Sequence, residues 1–176
     1  MKSIIKILVI FIPLFLASPF IQSSESYPQI EITTTSGAFV IELDRNRAPK
    51  TVENFLNYLN DGFYKNTVFH RVIPGFVIQA GGFTVDLEEK ETLPEIINES
   101  GNGLTNQRMS IGMARTNEPH SASSQFYINL ADNFSLDPMP TRWGYAVFGD
   151  VIQGFDVVNA IAGNATQAMN GMQDVP

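Results

Sequence analysis

The chain has 176 residues, of which 44% are hydrophobic and 16% are charged, which predicts one globular domain and excludes a disordered or collagen-like chain. It contains no cysteine, and this excludes disulfides, thiol catalysis and cysteine-ligated zinc. Its formal net charge of −7 would repel a phosphate backbone, so we expect no nucleic-acid partner.

Residues 1–26 have the order of a secretory signal peptide. Lys2 and Lys6 precede or flank the apolar run 7–17, and small polar residues follow it. The run is interrupted by Pro13 and is too short to span roughly 30 Å of hydrocarbon. The segment therefore predicts export, and no permanent insertion into a membrane.

The mature chain is predicted to be a single domain over residues 27–176. Ser24 and Ser26 suit cleavage before Tyr27, and cleavage near Ser23 is the alternative. Loss of two Lys and one Glu with the signal changes the net charge from −7 to −8. The absence of thiols suits an oxidising compartment. We expect a monomer in the periplasm, with secretion into the medium as the second location.

The first elements of this domain are predicted to be a β-hairpin and a helix. Apolar and polar residues alternate on both sides of Ser36 and Gly37, as in two strands joined by a tight turn. Residues 48–61 change to helical spacing. Their apolar positions at i, i+3, i+4 and i+7 are Val52, Phe55, Leu56 and Leu59.

The rest of the chain is predicted to be mostly strand. Segments rich in β-branched and aromatic residues, bounded by turn residues, are 67–73, 76–80, 108–115, 125–130 and 145–152. A second helix is predicted over 155–162, with Phe155, Val158 and Ile161 on one face. Many short strands with two helices predict a mainly β fold, an antiparallel barrel that is closed or nearly closed.

Standard catalytic motifs are missing from the sequence. It has no nucleophile elbow, zinc-protease helix, P-loop or dinucleotide-binding glycine pattern. His70 and His120 are the only histidines, and neither has neighbours at metal-ligand spacing, so we expect no metal and no cofactor. A hydrolase that uses one of them with Ser121 or Ser123 has the residue types but no positioned nucleophile.

Several polar residues occupy predicted strands. Arg71 shares a strand face with apolar neighbours, and Gln125 and Tyr127 share another face. Ser110, Gly112 and Ala114 form a row of small side chains on the outer face of their strand, and in one interpretation this row is bare and accepts an extended peptide. The pattern alone favours the other interpretation, in which the arginine lies at the surface and a loop covers the row.

The segment FHRVIPGFVIQAGG over residues 69–82 resembles the signature of the cyclophilins, which are peptidyl-prolyl cis-trans isomerases. The segments at 113–115, 124–128 and 147–149 resemble later blocks of the family in the same order. The residues of these later segments resemble the bacterial exported branch of the family. The resemblance extends from about Ile30 to the end of the chain, and it implies an eight-stranded antiparallel barrel capped by two helices.

The resemblance also implies a site for proline-containing, unfolded or partly folded polypeptides. Arg71 would be the catalytic guanidinium. Gln79 would be the second catalytic residue and would help to fix Arg71 and the peptide. Gln125 would bind the substrate backbone, and Ala114 and Arg115 would line the groove for the residue before proline. The walls of the proline pocket would be Phe76, Val77, Tyr127 and Leu136, with Tyr145 beside them.

Four departures from the family pattern accompany the resemblance. Tyr127 replaces the usual Phe, Tyr145 stands where many members have His, and Phe134 and Ser135 replace the stretch in which many members carry a Trp that helps to hold cyclosporin. We therefore do not expect strong inhibition by that drug. The chain ends at Pro176, before the final strand of the family, so we expect a barrel without its terminal strand. A proline-peptide-binding or chaperone-like module without turnover is the alternative function.

Overall fold

The computed structural model describes residues 27–176, and the predicted signal segment 1–26 lies outside them. Within this range the chain forms nine strands, two α-helices and one 3₁₀ turn. These are β1 (Gln29–Thr34), β2 (Gly37–Leu43), α1 (Pro49–Asn60), β3 (Thr67–Ile73), β4 (Val77–Thr84), β5 (Ser110–Met113), β6 (Phe126–Asn129), the 3₁₀ turn (Phe134–Leu136), β7 (Val147–Gln153), α2 (Phe155–Ala162), β8 (Gln167–Met169) and β9 (Met172–Val175). Neither helix of this range has the length and apolar character needed to cross a membrane.

Seven of the strands form one antiparallel sheet in the order β1-β2-β7-β5-β6-β4-β3. The sheet curls into a half-barrel, and β8 and β9 form a separate hairpin whose second strand lies beside β3. The predicted mainly β fold with two helices is confirmed. The sheet has seven strands and not the eight of a closed barrel, because no other strand of the described residues pairs with the outer edge of β1.

The hydrophobic core lies between the curled sheet and the two helices. Ile41 and its alternating neighbours on β2 are fully buried, as the period of two predicts. Phe55 of α1 packs against Phe126 of β6 and Phe148 of β7, with ring centroids 5.5 and 5.4 Å apart. Burial of side chains of this size stabilises the fold by roughly 1.5–3 kcal/mol each. The apolar face predicted for the first helix therefore joins it to the sheet.

The structure adds features that the sequence pattern did not predict. β4 extends to Thr84, beyond the predicted end at residue 80, and includes Gly81 with a φ of +89°. The β8–β9 hairpin was also not predicted, although its turn residues Asn170 and Gly171 have φ values of +51° and +82°. Asn-Gly is the pair that two-residue hairpin turns favour, so the sequence did carry a signal for this hairpin.

Candidate active site

A cavity of about 130 Å³ brings together nine of the ten predicted site residues. They are Arg71, Phe76, Val77, Gln79, Ala114, Arg115, Tyr127, Leu136 and Tyr145. Strand register explains part of this assembly, because Arg71 of β3 pairs with Gln79 of β4, which pairs with Tyr127 of β6. The tenth residue, Gln125, lies outside the lining, and its Oε1 accepts a 2.9 Å hydrogen bond from Nε2 of Gln79.

The size and wall of the cavity suit one small apolar ring. A cavity of about 150 Å³ lined by apolar side chains holds a benzene ring, so 130 Å³ can hold a single five-membered ring. Phe76, Val77 and Leu136 supply apolar wall, and the 3₁₀ turn carries the last of these. Nδ2 of Asn133, which precedes that turn, donates a 2.9 Å hydrogen bond to the carbonyl oxygen of Phe76. This bond joins the two sides of the wall.

Tyr127 contributes a ring whose hydroxyl is already bonded. The hydroxyl donates a 2.6 Å hydrogen bond to Oδ1 of Asn106. The backbone and side-chain N–H groups of Asn106 in turn each donate a 2.8 Å bond to Oδ1 of Asp137. Burial raises the pKa of Tyr127 well above its ordinary value. The hydroxyl that distinguishes Tyr from Phe at this position is therefore neutral and is held by Asn106.

The row of small residues along and just after β5 is largely covered, as the sequence pattern favours, but side chains of the neighbouring strand and not a loop cover Ser110 and Gly112. Ser110 is 1% exposed, and its Oγ accepts a 2.9 Å hydrogen bond from Nδ2 of Asn129. A Cβ added to Gly112 would overlap the ring of Tyr127, so this glycine leaves the space that the ring occupies. Of the row, Ala114 lines the cavity.

The guanidinium of Arg115 is held by the protein itself. Its Nε donates to the carbonyl of Gly144 at 3.2 Å, its Nη2 to that of Trp143 at 3.0 Å, and its Nη1 to that of Thr116 at 2.8 Å. The group also lies 4.4 Å from the ring centroid of Tyr145, within range of a cation–π interaction. These contacts fix Arg115 as part of the groove wall.

Arg71 has looser contacts. Its Nη1 lies 3.5 Å from Oε1 of Gln79, its Nε lies 3.9 Å from Oδ2 of Asp174 on β9, and its side chain is 39% exposed. A guanidinium has five N–H donors, and contacts of this length leave most of them able to bind a ligand at the rim of the cavity. The sequence pattern did not single out Asp174, because its hairpin was not predicted.

Neither histidine lines the cavity. His70 is 5% exposed, and burial lowers its pKa to about 4. Nδ1 of His120 accepts a 3.1 Å hydrogen bond from the backbone N–H of Asn98, and the hydroxyl of Ser121 donates a 2.8 Å bond to the carbonyl of Glu118. The bond to Nδ1 of His120 and the bond from Ser121 Oγ leave these two groups engaged with the protein backbone and not with each other. Residues 27–176 contain no group of three or more acidic or His side chains placed to hold a metal ion.

Comparison with known proteins assigns the family. The family model described as cyclophilin type peptidyl-prolyl cis-trans isomerase/CLD matches residues 29–175. The chain is 53% identical over 150 residues to peptidyl-prolyl cis-trans isomerase cyp18 of Streptomyces antibioticus, covering 84% of this chain and 90% of that protein. It is 45% identical over 175 residues to peptidyl-prolyl cis-trans isomerase A of Dickeya dadantii, covering 99% and 92%.

A solved structure agrees with these sequence matches. A cyclophilin type peptidyl-prolyl cis-trans isomerase of Cryptosporidium parvum superposes with a TM-score of 0.68 at 26% identity, over 85% of this chain and 91% of that one. The family model covers most of the chain and the whole curled sheet. The chain therefore belongs to the cyclophilin-type peptidyl-prolyl cis-trans isomerase family.

Proposed function

We propose that the protein is a peptidyl-prolyl cis-trans isomerase that accelerates rotation about X-Pro bonds in unfolded and partly folded polypeptides. The observation that carries this proposal is the pairing of a ring-sized apolar cavity with the half-exposed guanidinium of Arg71 at its rim. The relatives described above, which bear the name of this activity, support it.

The reaction requires binding and no covalent chemistry. Rotation about an X-Pro bond faces a barrier of about 18–20 kcal/mol because the amide loses its resonance as it twists. The twisted nitrogen regains a lone pair and becomes a hydrogen-bond acceptor. A site that binds this twisted state more tightly than either planar isomer lowers the barrier, so neither a nucleophile nor a general base is needed.

The cavity residues divide into two roles. Phe76, Val77, Tyr127 and Leu136 hold the pyrrolidine ring while the carbonyl of the preceding residue turns. Arg71 donates hydrogen bonds to the twisted imide and to a substrate carbonyl, and its permanent charge strengthens them.

The remaining site residues position the peptide. Gln79 stands between Arg71 and Gln125, so it orients the guanidinium and is within reach of the peptide backbone. Ala114, Arg115 and Tyr145 also line the cavity, and the residue before proline lies beside Ala114 and Arg115.

Substitution of Arg71 tests the proposal. We expect Arg71→Ala to lower kcat/KM for a short X-Pro peptide by about 10²-fold, the effect of removing one preorganised donor from a site that stabilises charge. The measurement is cis/trans exchange followed by NMR, with circular dichroism to verify folding. The matched control is Arg108→Ala, because the exposed guanidinium of Arg108 donates a hydrogen bond to Asn159 of α2 and does not line the cavity.

The outcomes separate the two functions that the sequence leaves open. The isomerase is established if the folded wild-type protein accelerates exchange and if kcat/KM falls in Arg71→Ala but not in Arg108→Ala. A folded protein that binds the peptide without accelerating exchange is a binding module and refutes the proposal. Full activity in Arg71→Ala would remove the arginine from the mechanism.

We also propose that the mature protein is a monomer exported to the periplasm and has no nucleic-acid partner. The signal-like order of residues 1–26 and the net charge of −7 support this. We expect the protein recovered from a bacterial periplasmic fraction to begin at Tyr27, as read by N-terminal sequencing. Intact chains found in the cytoplasm alone would contradict export.

A further inference from the structure

Residues from successive strands form a row across the mouth of the cavity. Ala114 and Arg115 directly follow β5, and Tyr127, Gln79 and Arg71 lie on β6, β4 and β3, in the order of the sheet. β9 packs beside β3 and adds one more member to the row, the carboxylate of Asp174. A peptide that crosses the cavity in this direction therefore leaves it beside Asp174.

The carboxylate of Asp174 is available to a ligand. Its side chain is 41% exposed, and the 3.9 Å separation between its Oδ2 and Nε of Arg71 is an ion pair too long for a hydrogen bond. The other charged end of the row is Arg115, whose guanidinium is bonded to backbone carbonyls. The two ends of the row thus carry opposite charges.

The backbone conformation at Asp174 allows a matched substitution that removes only the charge. Asp174 has a φ of +60°, the left-handed conformation that Asp and Asn tolerate better than other residues with a side chain. The four-residue strand β9 that carries it is held in a hairpin by pairing with β8. Asn fits the same backbone conformation, so Asp174→Asn removes the charge without a change in shape.

We propose that Asp174 is a specificity-determining residue that favours substrates with Lys or Arg within the two residues after proline. This inference rests on the proposed isomerase function, in which the residue before proline lies at Ala114 and Arg115. The chain then leaves the pyrrolidine on the side of Arg71 and Asp174. A cationic side chain there would meet the carboxylate and would also relieve the attraction between Asp174 and Arg71, so that the guanidinium turns to the substrate.

The experiment compares peptides that differ in charge at one position. The series is Ala-Ala-Pro-X-Ala and Ala-Ala-Pro-Ala-X, with X as Lys, Ala or Glu, together with Lys-Ala-Pro-Ala-Ala and Ala-Lys-Pro-Ala-Ala, which place Lys before proline. For each protein, kcat/KM is measured by NMR exchange at low salt. We expect wild type to prefer Lys over Ala after proline by about two- to fivefold, the range that an exposed charge pair gives at low salt. The Asp174→Asn variant should bring this ratio close to one.

A matched control and a salt series complete the test. Asp86→Asn removes the same charge from an exposed residue just beyond Thr84. Thr84 is the end of β4 opposite Val77, so Asp86 lies roughly 20 Å along the strand from the cavity. It should keep the wild-type ratio. Raising the ionic strength from about 0.05 to about 0.5 M should weaken the preference in wild type, because salt screens exposed charges.

The outcomes distinguish this inference from the function on which it rests. Suppose that the wild-type protein is active but has the same ratio of kcat/KM for Lys over Ala after proline as Asp174→Asn, or prefers Lys before proline. Either result overturns the role of Asp174 and leaves the isomerase function standing. Failure of the wild-type protein to accelerate any of the peptides overturns the isomerase function and the specificity together.

Discussion

Arg71 and Arg115 border the same cavity, but their guanidinium groups have different partners. Arg115 donates four hydrogen bonds to backbone carbonyls, whereas the contacts of Arg71 are long and leave donors free. The motif around residues 69–82 indicated Arg71, and a later block indicated Arg115. The sequence could not show that Arg115 is fixed, because two of its acceptors, Trp143 and Gly144, lie on a distant loop.

The hydroxyl of Tyr127 should matter for stability more than for catalysis. Since it donates a buried hydrogen bond to Asn106, we expect Tyr127→Phe to lower the free energy of unfolding by about 1 kcal/mol. The ring still fills the space above Gly112, so kcat/KM should change less than about twofold. Urea denaturation and NMR exchange are the two measurements.

Tyr145→Phe provides the matched control, because it removes a hydroxyl from the other tyrosine of the cavity wall. Tyr145 is only partly buried, so the loss of stability should be smaller. A tenfold loss of activity in Tyr127→Phe, with stability unchanged, would show that the hydroxyl contacts the substrate and would contradict the role given to Asn106.

The elements of the fold differ in how far the sequence predicts them. Alternation and helical spacing identified both helices and all seven strands of the sheet, and the bounds of β3 and α2 agree with the structure. The pattern favours a covered row at Ser110, Gly112 and Ala114 but assigns the cover to a loop, whereas the ring of Tyr127 on the neighbouring strand covers Gly112. Local pattern specifies which face a residue is on, but not what packs against that face.

The β8–β9 hairpin shows that local sequence pattern is also insufficient to predict every residue of the site. Its Asn-Gly turn is visible in the sequence, yet its strands have three and four residues, and β8 is exposed throughout. Such short strands lack a hydrophobic period. The contact between Asp174 and Arg71 could therefore be found only after the hairpin had been placed beside β3.

The stability of the whole molecule should depend on pH through His70. Its pKa falls from an ordinary 6.5 to about 4 in the folded state because it is buried. Between these two pH values the unfolded chain binds a proton at His70 that the folded protein does not bind. The contribution of neutral His70 to the free energy of unfolding is therefore fully present above pH 6.5 and is lost as the pH falls toward 4. The expected loss is about 3 kcal/mol.

Denaturant unfolding at pH 7, 6, 5 and 4 measures this slope in wild type and in His70→Gln. The variant should show a smaller decline, whatever its stability at pH 7. Burial raises the pKa of Asp150, but this group titrates in both proteins, so their difference isolates His70. Equal slopes in the two proteins would show that another group causes the pH dependence.

The order of the strands also affects how quickly the fold can form. β2 pairs with β7, with Val40 opposite Gln153, so the first hairpin joins the sheet only through residues near the other end of the described chain. Contacts between distant parts of a sequence carry a high loop-closure entropy and slow folding. Most of the chain must therefore be synthesised before the sheet can assemble, and under the proposed export this delay would leave the precursor unfolded until it reaches the translocation machinery.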